Sequence, residues 1–138
     1  MIKTYEINRR TTSETDVMDL TQEVADKVAD SGIQQGQVHV FTPGSTVAVT
    51  TIEYEPGVVE DLKRAIEQLA PQHIKYAHDA RWGDGNGYAH VRSAILGGSF
   101  TIPVIDRRLA LGTWQQVVLL DFDNRSRERR IIIQVSGE

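Results

Sequence analysis

A chain of 138 residues is sized for one domain with one well-buried core. Its 15 Lys and Arg against 19 Asp and Glu leave a net charge of -4, which offers no basic surplus for neutralising a nucleic-acid backbone. With no cysteine there is no disulfide framework and no thiolate ligand or nucleophile, so any metal must be held by nitrogen and oxygen.

The elements follow in chain order. Residues 2–8 alternate, with Lys3, Tyr5 and Ile7 on one face, and predict a strand that the polar run Arg9 to Thr15 interrupts. From Asp16 the apolar positions Val17, Leu20, Val24 and Val28 recur at three- and four-residue spacing, with Thr15 or Asp16 as N-cap and Gly32 as stop, which predicts a helix. Gln37 to Phe41 and Thr46 to Tyr54 read as strands joined by Thr42-Pro43-Gly44-Ser45. A second helical stripe, Val58, Leu62, Ile66 and Leu69, opens after Pro56-Gly57 and closes at Pro71.

Residues 71–87 lose all periodicity while gathering His73, His78, Asp79, Trp82 and Asp84, and a loop of that length in a compact domain is commonly functional. A short helix from about Tyr88 to Leu96 stops at Gly97-Gly98. Phe100 to Ile105, Thr113 to Phe122 and Arg129 to Val135 complete the strands, with Asp123-Asn124-Arg125-Ser126 as a hairpin turn between the last two. Helices without βαβ alternation indicate an α+β fold in a single domain over residues 1–138. No apolar run approaches the roughly 20 residues that span a bilayer. The first residues lack a signal-peptide pattern, so a cytoplasmic location with no membrane partner is expected.

The residues best suited to chemistry are His78, Asp84 and His90, each separated from the next by five residues, with Asn86 between the last pair. Imidazole and carboxylate ligands together suit a divalent ion such as zinc or magnesium, and a loop delivering them leaves a position open for water or substrate. The same histidines read equally as structural hydrogen-bonding groups. Asn86 is placed to cap the helix that carries His90, and that helix start favours a bound anion. Ser45 and Thr46 after Gly44 provide hydroxyls for a phosphate, although the segment also reads as a plain turn and lacks the lysine of a P-loop. Glu53 is a candidate general base on the following strand, whereas Glu55 reads as surface. His39 reads as packed or at a sheet edge, and His73 has no assigned chemistry. Trp114 is expected in the core or at an interface. Arg125, Arg127, Arg129 and Arg130 read as solvated charge on a hairpin tip.

The string Asp84-Gly85-Asn86-Gly87-Tyr88-Ala89-His90-Val91, then Gly97-Gly98-Ser99, Ile102-Pro103-Val104 and Leu109-Ala110-Leu111-Gly112-Thr113-Trp114-Gln115, resembles the YjbQ family, also called UPF0047. Ser45-Thr46, Glu53 and Tyr76-Ala77-His78-Asp79 fit the same pattern. The resemblance implies an antiparallel β-sandwich with two main helices and one short helix, assembled as a homotrimer with sites near subunit boundaries. It also implies a weak thiamine-phosphate synthase activity that joins a pyrimidine pyrophosphate to a thiazole phosphate. On it, His78, His90 and Glu53 are the catalytic candidates, and Ser45, Thr46, Asn86 and Gln115 line a pocket for a small phosphorylated molecule. Two departures stand out: Gly44 occupies a position where many members carry histidine, and Arg107-Arg108 precedes the Leu-x-Leu-Gly run where glycine is frequent. The alternatives to a transferase are a metal-dependent hydrolase of a small anionic metabolite and a non-catalytic trimeric ligand-binding protein.

Overall fold

The computed structural model describes residues 1–12 and 15–138. In chain order the elements are β1 (Ile2–Arg10), β2 (Asp16–Asp19), α1 (Thr21–Ser31), β3 (Gln35–Phe41), β4 (Val47–Ile52), α2 (Pro56–Leu69), α3 (Ala77–Trp82), α4 (Gly87–Leu96), β5 (Ser99–Ile105), β6 (Arg108–Leu109), β7 (Gln116–Asp121) and β8 (Glu128–Gly137). The strands form a five-stranded sheet in the order β1-β8-β3-β5-β6 and a three-stranded sheet in the order β2-β7-β4. Every pairing is antiparallel, so the α+β class expected from sequence is what the chain adopts.

The apolar pattern of β7 explains the layering. Val117 and Leu119 face the five-stranded sheet, packing with Ile131, Ile133 and Val135 of β8 and with Leu20, Val24 and Val28 at α1. Val118, Leu120 and Phe122 face the other way, against Ile66 of α2 and Tyr88 and Ala89 of α4. A strand buried on both faces reads as a continuous apolar run rather than an alternation. The three-stranded sheet is therefore the middle layer.

Four expectations change, the first being that the stretch 71–87, read as aperiodic, holds α3, which makes four helices among the described residues rather than three. Asp16–Asp19 is a strand, not the start of α1, because Val17 pairs with Leu120 on the edge of the middle sheet. Its three-residue spacing from Leu20 mimics a helical stripe, but the sheet pairing overrides local pattern. α1 then begins at Thr21, whose N–H and hydroxyl both donate to the Asp19 carboxylate (2.9 and 2.6 Å), and ends at Gly32 in the left-handed region (φ 74°). The turn at Asp123-Asn124-Arg125-Ser126 is no hairpin: β7 and β8 lie in different sheets, so it carries the chain across the sandwich. Leu69 is 68% exposed and Trp114 75% exposed, so neither belongs to the core.

Candidate functional site

Two short helices carry the histidines. His78 is the second residue of α3 and His90 the fourth of α4. Between them Gly83 and Gly85 take left-handed backbone angles (φ 73° and 70°), which a β-carbon would strain, and these turns fold α4 back beside α3. The two imidazoles consequently meet with ring centroids 4.5 Å apart and planes tilted by 40°. Asp79 Oδ1 lies 3.2 Å from His78 Nδ1 and also accepts the Gly87 N–H at 2.9 Å. His90 has no hydrogen-bonded partner on its ring nitrogens among the described residues.

The opposite wall comes from the end of the sandwich. Arg129 shares its side of β8 with Ile131, Ile133 and Val135, and so points inward at the point where the apolar filling stops. Asp121 and Asp123 continue the face of β7 that Val117 and Leu119 occupy. Arg129 binds Asp121 through two parallel contacts, Nε to Oδ2 at 2.8 Å and Nη2 to Oδ1 at 2.9 Å, and Nη2 also donates to Thr46 Oγ1 at 2.7 Å. Thr46 in turn donates to Asp123 Oδ2 (3.0 Å), which also accepts from Arg127 Nε (3.0 Å). Asp121 and Asp123 are fully out of solvent at 0% and 1% exposure, so this bidentate pair and its neighbours form a desolvated ionic network that stitches the two sheets together.

Burial pushes the Asp123 carboxyl up, but hydrogen bonds from the Asn124 N–H, Thr46 and Asn86, with the charge of Arg127, outweigh it and hold its pKa below the usual 3.8. Asp123 is therefore an ionised anchor, not an acid. Asn86 is buried at 6% exposure and stands at the N-cap position of α4, yet its side chain makes no capping bond. Its Nδ2 reaches Asp123 Oδ1 at 3.4 Å instead, Asp79 takes over the cap, and Asn86 Oδ1 has no partner among the described residues.

These walls enclose an open cavity of about 480 Å³ lined by Gly44, Ser45, Thr46, His78, Trp82, Asp84, Asn86, His90, Asp123, Arg127 and Arg129. Of the sequence candidates, His78, His90, Ser45, Thr46, Asn86 and Asp84 thus converge. Glu53 and Gln115 do not. Glu53 follows the far end of β4 from Thr46, roughly 20 Å away at strand rise. Gln115 folds on its own loop, accepting from the Gly112 N–H (3.0 Å) and donating to Thr51 Oγ1 (3.0 Å), beside a separate cleft along α1.

The three-ligand metal set His78, Asp84 and His90 is not assembled. Among the described residues no group of three or more His, Cys, Asp or Glu side chains is placed to hold a metal ion. Asp84 therefore does not join the two imidazoles as a third ligand at one point.

The residues that sequence reading missed are Asp79, Asp121, Asp123, Arg127 and Arg129. For Arg129 the signal was its parity with three inward isoleucine and valine positions, which contradicts the solvated reading; Arg130, one residue on, pairs with Glu6 at the surface. Gly44 is also fixed by this wall. Its φ is 153°, and a β-carbon there would lie 2.8 Å from Val47 Cγ1 and 3.1 Å from Arg129 Nη1, so this chain has no room for the histidine frequent in the resembled family.

A family model described as UPF0047 protein YjbQ-like matches residues 5–138. A UPF0047 protein of Methanothermobacter thermautotrophicus is 35% identical over 99% of this chain and 94% of its own length. The UPF0047 protein YugU of Bacillus subtilis is 32% identical over 99% of this chain and 100% of its own. Among solved structures, a YbjQ-like protein of unknown function from Sulfolobus solfataricus superposes with a TM-score of 0.90 at 29% identity, covering 100% of both chains. A hypothetical protein from Aeropyrum pernix K1 gives 0.91 at 32% identity over 99% of each chain. No helix of the described residues is long and apolar enough to cross a membrane.

Proposed function

The chain belongs to the UPF0047 YjbQ-like family, and from that premise we propose that its cavity binds the phosphate end of a small metabolite and supports a slow transfer of the thiamine-phosphate synthase type. The observation that carries this reading is the meeting of a paired His78 and His90 with Ser45, Asn86 and the arginine-bearing end of the sandwich in one cavity. In such a transfer a C–N bond forms between pyrimidine methylene and thiazole nitrogen while the C–O bond to pyrophosphate breaks, and the protein's task is to stabilise the departing charge. Arg127 and Arg129 are matched by Asp121 and Asp123, so that wall is close to neutral. The departing oxygens are then met by the N–H and O–H donors that line the cavity, with the histidine pair placed to move a proton.

No step is routed through a metal ion, since no three ligating side chains converge among the described residues. The reading includes a homotrimer, in which subunit contacts would cover exposed apolar side chains such as Ile95, Ile105 and Trp114; sedimentation at a monomer mass rejects that part. The test of the activity is turnover of the two phosphorylated precursors by the purified chain. His78→Ala and His90→Ala are expected to abolish it, and wild-type rates in both variants would overturn the mechanism. Binding of the precursors without turnover in the wild type would instead assign the cavity to a ligand-binding protein.

A further inference from the structure

The two histidines are alike in residue type but not in surroundings. His78 has a carboxylate 3.2 Å from Nδ1, whereas among the described residues His90 has none on either nitrogen. An ionised carboxylate only accepts hydrogen bonds, so the ring nitrogen facing it must carry the proton. The oxygen that faces His78 Nδ1 is the same Oδ1 that accepts the Gly87 N–H at 2.9 Å. A β-carbon on Gly87 would lie 2.7 Å from Tyr76 Cβ and 3.1 Å from that oxygen, so glycine is what lets the start of α4 come close enough to share it.

We propose that Asp79 is the positioning residue of the pair: it fixes His78 as the Nδ1–H tautomer, leaving Nε2 as the proton acceptor, and its shared oxygen ties the helix carrying His78 to the helix carrying His90. The pair is thereby asymmetric. His78 is held with one acceptor nitrogen, and His90 is free to exchange tautomers beside it. The consequence for turnover rests on the transfer reading above, but the tautomer itself does not.

The experiment is nitrogen-15 NMR of the full chain at alkaline pH, with the His78 signals assigned by their loss in His78→Gln. The wild type is expected to show a protonated Nδ1 and an unprotonated Nε2. Asp79→Asn keeps an oxygen for both donors and retains the tautomer, but moves the Nδ1 proton upfield because a neutral acceptor is weaker. Asp79→Ala releases His78 to the mixture of a free imidazole, in which Nε2–H predominates. An Nε2–H ring in the wild type, an unmoved Nδ1 proton in Asp79→Asn, or an unchanged tautomer in Asp79→Ala each overturns the proposal. If Asp79→Ala does not fold, the first two outcomes still decide it. Where turnover is measurable, Asp79→Ala should lose roughly ten- to a hundredfold in kcat with KM little changed, and Asp79→Asn should recover most of it. A wild type with no turnover but the expected spectrum sinks the transfer reading and leaves the tautomer assignment standing.

Discussion

Replacing Arg129 by alanine tests the wall of the cavity that the core itself supports. The substitution strips Asp121 of two guanidinium contacts at 2.8 and 2.9 Å while the carboxylate stays at 0% exposure. Breaking a buried pair from one side costs about 3–5 kcal/mol, because the remaining charge cannot regain its water. Two donors survive on Asp121, the Thr11 hydroxyl at 2.6 Å and the Asp123 N–H at 3.0 Å, so the loss belongs near the lower end, about 3 kcal/mol. For a domain whose whole stability is about 5–15 kcal/mol, that is a large fraction. Urea unfolding followed by circular dichroism reads it as a lower midpoint at unchanged slope. Arg129→Met together with Asp121→Asn removes both charges and should recover most of the loss. A shift below about 1 kcal/mol in Arg129→Ala would refute the claim that this pair is desolvated and holds the sheets together.

The other predictions concern pH, packing and close approach. Asp123 has a folded pKa below its unfolded value of 3.8, so its contribution is present above that value and lost as pH falls through the lower folded one; Asp123→Asn should flatten this acid limb of the urea midpoint, and an unchanged limb rejects the assignment. Val24 is fully buried, and Val24→Ala should cost about 2 kcal/mol, whereas Leu62, only partly buried beside the second core, should cost closer to about 1 kcal/mol on the same change; equal losses by thermal melting would undo the distinction. Gly87→Ala should destabilise by about 1–3 kcal/mol through overpacking against Tyr76, and a neutral result would show that α4 can shift. Gly44→His should lower the melting temperature rather than improve phosphate binding, since its β-carbon meets Val47 and Arg129.

Most of the fold was legible because burial writes itself as periodicity. α2 followed from its 3.6-residue stripe and Pro56, and β3, β5 and β8 from β-rich runs bounded by turns. What periodicity could not separate was Val17 from Leu20. They lie three residues apart, as on a helix, but enter two different cores on either side of the middle sheet. The hairpin expectation failed for a similar reason: local turn chemistry says that the chain reverses, not which sheet receives it. On the site, the histidine half was readable as an aperiodic stretch rich in polar groups. The arginine half was not, because a charge cluster on a presumed tip is ordinarily solvated. Only the parity of Arg129 with Ile131, Ile133 and Val135 marks it as inward. Gln115 and Glu53 show the limit of motif proximity, since neither their order in the chain nor their chemistry says which end of a strand they occupy.

The middle sheet, clad on both sides, has a consequence for how the cavity can change over evolution or under design. One rim is anchored in the most occluded strand of the molecule through Asp121 and Asp123, so remodelling it amounts to rebuilding the protein. The facing rim is a short surface excursion, α3, none of whose residues is buried, before the chain re-enters the core at Tyr88 and Ala89 of α4. Ligand preference can therefore drift by exchanging that excursion while the anchored rim stays constant. Amide hydrogen exchange should rank the two rims in that order, slow along β7 and fast across α3.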